Sequence, residues 1–409
     1  QMRTLSSATK SAALVAIAEA LVAQQERIIE ANALDLQAAR ERGLSEAMVD
    51  RLRLDAKRIA AMAEGCRQVE ALPDPIGQII SGATRPNGLR INHIRVPLGV
   101  IGVIYESRPN VTVDAAILCL KSSNSVVLRG GSEAIHSNKV LAKILTEAAT
   151  SAGVPDGCIE IVETTDRSAA YHMATLHGMV DLVIPRGGSA LKKALAEVAT
   201  VPVIFAAGGI CHVYVDATAN LEMASDIVFN AKTQYPSACN ALETLLVDKA
   251  VAREFLPIIA KRLCEADVEL RGDDESRAVA KMGEATEADW DEEYSALTLA
   301  VRVVDGLDAA IAHISRHGTG HSEAIVTENY GNAEKFCAQI DAAAVYVNAS
   351  TRFTDGFEFG LGAEVGISTQ KLHARGPMGL EALTSTKYVV RGDGHLRGGG
   401  QPNYGRSCG

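Results

Sequence analysis

Ser125-Val-Val-Leu-Arg-Gly-Gly-Ser-Glu133 joins a short apolar run to a glycine loop, the form of a buried strand that ends in a ligand-facing turn. The same form recurs on both sides of it. Val100-Ile-Gly-Val-Ile-Tyr105, Ile159-Glu-Ile-Val162, Asp181-Leu-Val-Ile184 and Val203-Ile-Phe205 are apolar runs separated by helix-like stretches, and a second glycine loop, Pro185-Arg-Gly-Gly-Ser-Ala-Leu-Lys-Lys193, follows the fourth. Alternation of this kind predicts a parallel sheet covered on both faces. A further alternating set begins at Glu243-Thr-Leu-Leu-Val247 and continues through Val301–Val304, Ser322–Val326 and Ala344–Val347, with helices near 249–265 and 307–317. Two α/β domains are therefore expected.

Residues 4–72 carry alanine and leucine at helical spacing. Gln78–Pro97 reads as two alternating runs about a Pro86-Asn87-Gly88 turn, a hairpin that needs further partners, such as another subunit, to be stable. The glycine-rich end, 393–409, is expected to be a mobile tail.

The chain has 409 residues, 47% of them hydrophobic, and a net charge of −10. These values supply ample core and argue against a nucleic-acid surface. No run of about 18 apolar residues predicts a membrane span, and the first residues lack a signal-peptide core, so a cytoplasmic location is expected. The eight cysteines are scattered, without C-x-x-C or cysteine–histidine grouping, which favours reduced thiols and no structural metal. Cys211 and His212 lie in a strand-like segment and are expected to serve core packing.

Asn230-Ala-Lys-Thr-Gln-Tyr-Pro-Ser-Ala-Cys-Asn-Ala-Leu-Glu-Thr-Leu-Leu-Val247 sets Cys239 in a loop ahead of a buried strand. Its small neighbours leave room for a substrate carbonyl, and its own N–H can hold an oxyanion. The local pattern admits a nucleophile or an inert core thiol. Glycines at 130–131 and 187–188 would let backbone approach a phosphate, and Arg129 with Ser132 could bind a 2′-phosphate unless Glu133 points inward.

With these features the chain resembles the gamma-glutamyl phosphate reductases, a branch of the aldehyde dehydrogenase superfamily. The likeness runs from the first helices to about Gly392. It is carried by Val100–Thr112, Asn230–Val247, His317-Gly-Thr-Gly-His-Ser-Glu323 and Tyr346–Pro377. The resemblance implies an aldehyde-dehydrogenase-like α/β fold with two parallel-sheet domains and a small β oligomerisation unit. On that reading residues 1–77 and 98–206 bind NADP, residues 207–375 carry the catalytic cysteine, and 78–97 with 376–392 form the oligomerisation hairpin and strand.

It also implies NADPH-dependent reduction of L-glutamyl 5-phosphate to the semialdehyde through a cysteine thioester, in proline biosynthesis. Matching positions make Cys239 the nucleophile and Asn110 an oxyanion donor. Arg129 then lies beside the adenosine ribose, Gly188 and Ser189 near the pyrophosphate, and Glu293 near the nicotinamide ribose. The implied partners are a small-molecule substrate, further copies of the chain and a channelling contact with glutamate 5-kinase. Two departures stand out: Tyr235 replaces an arginine common in close relatives, and the segment around Phe205 lacks the glutamate base of aldehyde-oxidising members.

The substrate itself requires anion and ammonium binders. Arg108 and Arg352 are candidates for the anions, Asp355 or Glu358 for the ammonium. Lys232 is the cation nearest the thiol in sequence, read either as an activator or as a solvated helix-end lysine. His317 and His321 are candidates to line a cleft. A CoA-acylating aldehyde dehydrogenase and a non-catalytic scaffold remain as rivals.

Overall fold

The computed structural model describes residues 1–206 and 208–397. Residues 398–409, most of the expected tail, lie outside the described residues. The chain divides into two compact units. The first comprises Gln1–Pro185, Ala194–Val203 and the chain from Gly379, and the second comprises Arg186–Lys193 and Ile204–Met378.

The first unit opens with the helices Ser7–Ala23, Gln25–Glu41, Glu46–Leu52 and Ala56–Ala71. Ser6, Ser45 and Asp55 start three of them by accepting a backbone N–H three residues on. A parallel sheet follows in the order Ile159–Ile161, Ser125–Arg129, Val100–Tyr105, Leu182–Arg186. The helices Asn110–Lys121 and Ile135–Ser151 belong to the same unit. Buried Asp35 caps the second of these, accepting from Ser137 N at 2.8 Å and His136 N at 3.1 Å. A carboxylate there satisfies orphan donors and complements the helix dipole, and it fixes the helix that follows the first glycine loop.

A separate antiparallel sheet joins Ile79–Thr84, Arg90–Pro97 and Thr384–Arg391. The expected hairpin and late strand are thus one three-stranded sheet. Its outer strand is exposed throughout, and Ile79, Ile80, Tyr388 and Val390 present apolar surface.

The second unit is a seven-stranded parallel sheet ordered Gly283–Glu284, Glu269–Gly272, Thr298–Val304, Leu242–Asp248, Cys211–Val215, Ser322–Val326, Ala344–Val347. Alternate residues of its central strands feed two cores. Leu245, Val247 and Val213 pack with Phe255 and Leu256 of the helix Lys249–Cys264, while Leu246, Tyr214 and Ile325 pack with Phe336 and Ile314 of the opposite helices. Among the described residues no helix is long and apolar enough to cross a membrane.

Val203–Phe205 does not form the expected strand. Val203 makes a single bridge to Val183, and Phe205 N donates instead to Gln370 Oε1 at 2.8 Å. Conversely, Glu269–Gly272 and Gly283–Glu284 are strands whose polar, short sequences gave no signal.

Lys232 is not solvated. Its Nζ is fully buried, 2.8 Å from Glu243 Oε2 and 2.9 Å from Leu242 O. Burial drives both partners toward neutrality, Glu243 up to about 7 and Lys232 downward, against their mutual attraction. Removing one partner strands a buried charge. Glu243→Leu is expected to cost about 3–5 kcal/mol, whereas Lys232→Met with Glu243→Leu costs far less, as urea denaturation of the three proteins would show.

Candidate active site

Cys239 lies in the turn between the helix Leu221–Thr233 and the strand Leu242–Asp248. Ala238 N donates to Tyr235 O at 3.1 Å and Ala241 N to Ala238 O at 2.9 Å, which folds the turn tightly. Its thiol is half-buried. Cys66, Cys119 and Cys211 are fully buried, and burial pushes the Cys66 thiol up to about 12 and raises the other two as well. Cys264 and Cys337 are exposed, and Cys408 lies outside the described residues.

Three neighbours fix the backbone at Cys239. Gly209 passes so close that a Cβ there would fall 1.5 Å from Cys239 O. The Cys211 thiol donates to that same carbonyl at 3.3 Å. Asn240 Nδ2 reaches Thr354 O at 2.9 Å and Arg352 O at 3.2 Å, while Thr351 Oγ1 donates to Asn240 O at 2.7 Å.

Behind this clamp runs a buried polar chain. Tyr346 OH and Ser322 Oγ both bond Thr354 Oγ1, at 2.7 and 2.6 Å, and Ser322 Oγ bonds His321 Nδ1 at 2.8 Å. His321 therefore does not line a cleft. It is wholly buried, and burial, with Lys192 second, lowers it to about 4, so it stays uncharged at neutral pH. His317 is also buried and bonds Asp291 Oδ1 at 2.8 Å.

The cations that sense Cys239 are Lys192 and Arg352, not Lys232. Burial lowers Lys192, opposed by the charges of Glu293 and the Cys239 thiolate. Glu293 approaches the same loop: a Cβ on Gly208 would lie 2.3 Å from its Oε2. Glu293 and Cys239 thus meet at the Gly208–Gly209 segment, and the charge of both acts on Lys192, which had no sequence signal beyond its place after a glycine loop. Asp355 sits beside Arg352 electrostatically, but its Oδ1 accepts from Phe357 N at 2.8 Å, holding its own turn. Glu358 is exposed. Gly188 is exposed and directly precedes the helix Ser189–Val198; the Ser189 side chain lies outside the described part.

In the first unit, Arg129 and Ser132 line one cavity of about 380 Å³. Arg42 and Arg167, from segments distant in sequence, line it too, as do Glu106 and Glu133. Arg129 is 7% exposed, donates from Nη2 to Thr165 O and Asp166 O at 3.2 Å, and leaves a buried Nε without a partner. Glu133 Oε1 accepts from Ser107 N at 2.6 Å and Ser107 Oγ at 2.9 Å. Asn110 begins the helix Asn110–Lys121, and its Nδ2 donates to Asp114 Oδ2 at 2.9 Å. Arg108 is half-buried, and its guanidinium has no hydrogen bond or ion pair among the described residues. No group of metal ligands occurs among the described residues.

A cysteine in a tight loop before a central parallel strand, with a separate α/β unit carrying an arginine-lined cavity, defines a class, and the chain belongs to it: the aldehyde dehydrogenase family, whose model matches residues 1–284. Its curated relatives are narrower in kind. The gamma-glutamyl phosphate reductase of Moorella thermoacetica is 58% identical over 394 residues, spanning 96% of this chain and 94% of that protein. That of Halothermothrix orenii is 57% identical over 389 residues, 95% and 93% of the two chains.

The crystal structure of gamma-glutamyl phosphate reductase from Thermotoga maritima matches with a TM-score of 0.94 at 50% identity, covering 97% and 96%. An acetylating aldehyde dehydrogenase from Geobacillus thermoglucosidasius, at 18% identity and TM-score 0.71 over 97% and 94%, shares the fold.

Because no Cβ fits at Gly209, Gly209→Ala must displace the Cys239 backbone. Turnover is expected to fall on the order of 100-fold, with circular dichroism retained, which steady-state assays beside a spectrum would establish.

Proposed function

We propose that this chain reduces L-glutamyl 5-phosphate to L-glutamate 5-semialdehyde and phosphate with NADPH, the second step of proline biosynthesis from glutamate, through a thioester on Cys239. The observation that carries the reading is the setting of Cys239, a half-buried residue whose carbonyl is held between Gly209 and Cys211 and whose charge is felt by Lys192 and Arg352. Relatives that share more than half their residues with it bear the reductase name.

An ordinary cysteine is mostly protonated at neutral pH, and two cations favour its thiolate. The thiolate attacks the acyl carbon, the C–O bond to phosphate breaks with its electron pair leaving on phosphate, and a thioester remains. The Cys239 N–H stabilises the oxyanion of each addition. Asn110 joins it as a donor on the strength of its place in the family motif. When bound, NADPH supplies the hydride that takes the thioester to the aldehyde level. The segment Val203–Gly209 contains no carboxylate to activate water, which suits a thioester that must await reduction.

Members of the family use NAD(P). The residues of the first unit suit the phosphorylated form: Arg129, Ser132, Arg42 and Arg167 gather at one cavity, and the orphaned Arg129 Nε awaits an acceptor. Gly188 and Ser189 would serve the pyrophosphate and Glu293 the nicotinamide ribose. Arg108, Arg352 and Asp355 would bind the amino-acid substrate. The exposed strand Ile79–Thr84 and the apolar residues on its sheet favour assembly into a homo-oligomer through that edge. A cytoplasmic site of action and a channelling contact with glutamate 5-kinase complete the reading, since an acyl phosphate is prone to hydrolysis.

The test is the reverse reaction, NADPH formation from glutamate 5-semialdehyde, NADP and phosphate, with wild type beside Cys239→Ala. Phosphate-dependent turnover is expected in the first and none in the second; turnover with CoA in place of phosphate would overturn the assignment. Arg167→Ala should raise the KM for NADP on the order of tenfold with little effect on that for NAD, as parallel titrations of the two cofactors would reveal.

A further inference from the structure

The side chain of Arg352 is anchored at one edge and empty at the other. Its main chain is tied to the residue after the nucleophile by the Asn240 bond to its carbonyl. Its Nε donates to Gln234 Oε1 at 2.8 Å, and its guanidinium carbon lies 5.8 Å from the centre of the Tyr235 ring. Nη1 and Nη2 make no hydrogen bond or ion pair among the described residues. The nearest candidate counter-ion, Asp355, is turned toward the backbone of Phe357 and Glu358.

The Nη atoms are not among the buried unpartnered polar atoms, so the free fork is open to an anion from solvent. Burial lowers Arg352 from its ordinary value, while the charges of Cys239, Asp355 and Tyr235 oppose that shift, Cys239 foremost among them. With Nε occupied, the free edge is the Nη pair, the geometry that grips a phosphate or carboxylate with two parallel bonds.

Resting on the reductase reading, the choice between the substrate's two anions follows from its covalent structure. The phosphoryl group is bonded through one oxygen to the carbon that the sulfur attacks, whereas the α-carboxylate lies at the far end of the chain. Arg352 is tied through its carbonyl to the residue after Cys239 and through its Nε to the segment that leads into Cys239, so the anion in its fork is the one bonded to the reacting carbon, the phosphoryl group.

We propose that Gln234 and Tyr235 position the Arg352 guanidinium as a bidentate clamp for the phosphoryl group, the leaving group in the forward direction and the attacking phosphate in reverse. Tyr235 is the specificity-determining member. It stands where the resemblance leads one to expect arginine, and it supplies a ring face for a cation instead of a second charge. Gln234 prevents rotation of the guanidinium within its plane. Both follow directly on the helix Leu221–Thr233, so the segment that delivers the nucleophile also aims the clamp. Forward, the carbon–oxygen bond breaks and phosphate departs as a free anion into the fork without needing a proton.

The test uses the full chain and inorganic phosphate. Phosphate should slow alkylation of Cys239 by iodoacetamide in the wild type, and Tyr235→Leu or Gln234→Ala should weaken this protection about tenfold. The same variants should raise the KM for phosphate in the reverse reaction by that factor and leave the KM for glutamate 5-semialdehyde within twofold. Tyr235→Phe should retain both properties, because the ring face is kept, and Arg352→Lys should lose them, because a point charge lacks the fork.

A rise confined to the KM for semialdehyde would overturn the proposal in favour of an α-carboxylate site, and absence of phosphate protection in the wild type would overturn it outright. Phosphate protection that depends on Tyr235, in a protein without phosphate-dependent turnover, would uphold the clamp while refuting the reductase reading.

Discussion

The Cys239 carbonyl is the fixed point of the second unit. Gly209 presses on it where no side chain fits, Cys211 donates to it, and the residue beside it is held by the 351–354 segment. Each of these contacts comes from a different part of the chain, and together they leave Cys239 little freedom. In the proposed reaction the sulfur attacks and its own N–H receives the oxyanion, so the chemistry depends on backbone placement more than on side-chain rotation. The polar chain from Tyr346 through Thr354 and Ser322 to His321 extends this rigidity inward, and a histidine kept neutral by burial can hold its place there without bringing a charge into the core.

The buried ionisable pairs of the same unit have a related logic. Lys232–Glu243 and His212–Glu323 lie on or beside central strands, with oxygen–nitrogen separations of 2.8 and 2.9 Å. Such pairs seldom add net stability relative to apolar replacements. Their effect is geometric: Lys232 links the helix before the nucleophile to the strand after it, through both Leu242 O and Glu243. The turn bearing Cys239 is thereby closed at its base as well as at its tip.

The sheets were legible because parallel strands buried on both faces must be apolar over their whole length, and Val100–Tyr105, Ser322–Val326 and Ala344–Val347 occur at the bounds their sequences suggest. Val203–Phe205 is just as apolar yet pairs at only one residue, since its next amide is taken by the Gln370 side chain. Periodicity cannot register a competing side-chain acceptor. Charged residues misled for a similar reason. Lys232 near a helix end was open to reading as an activator of the thiol or as solvated, and it is neither, because its partner Glu243 occupies an inward position of a strand that composition alone marked as apolar. Arg42 and Arg167 were invisible because a cavity gathers residues by space, and only the glycine loop at 129–133 had a local signature.

Tyrosine at position 235 meets the proposed electrostatic task differently from the arginine that the resemblance would imply there. A second arginine beside Arg352 would raise the local positive charge and repel it when no ligand is bound, so each cation would need other restraint. A tyrosine offers the guanidinium the negative face of a ring, which holds it by attraction and adds no charge of its own. The cost is one fewer bond to an incoming anion; the gain is a fork already aimed, with less side-chain entropy to lose on binding. Gln234 makes that trade workable, because a ring face alone fixes the plane of a guanidinium but not its rotation within the plane. The hydrogen bond at Nε removes this last freedom and leaves only the Nη edge to meet a ligand.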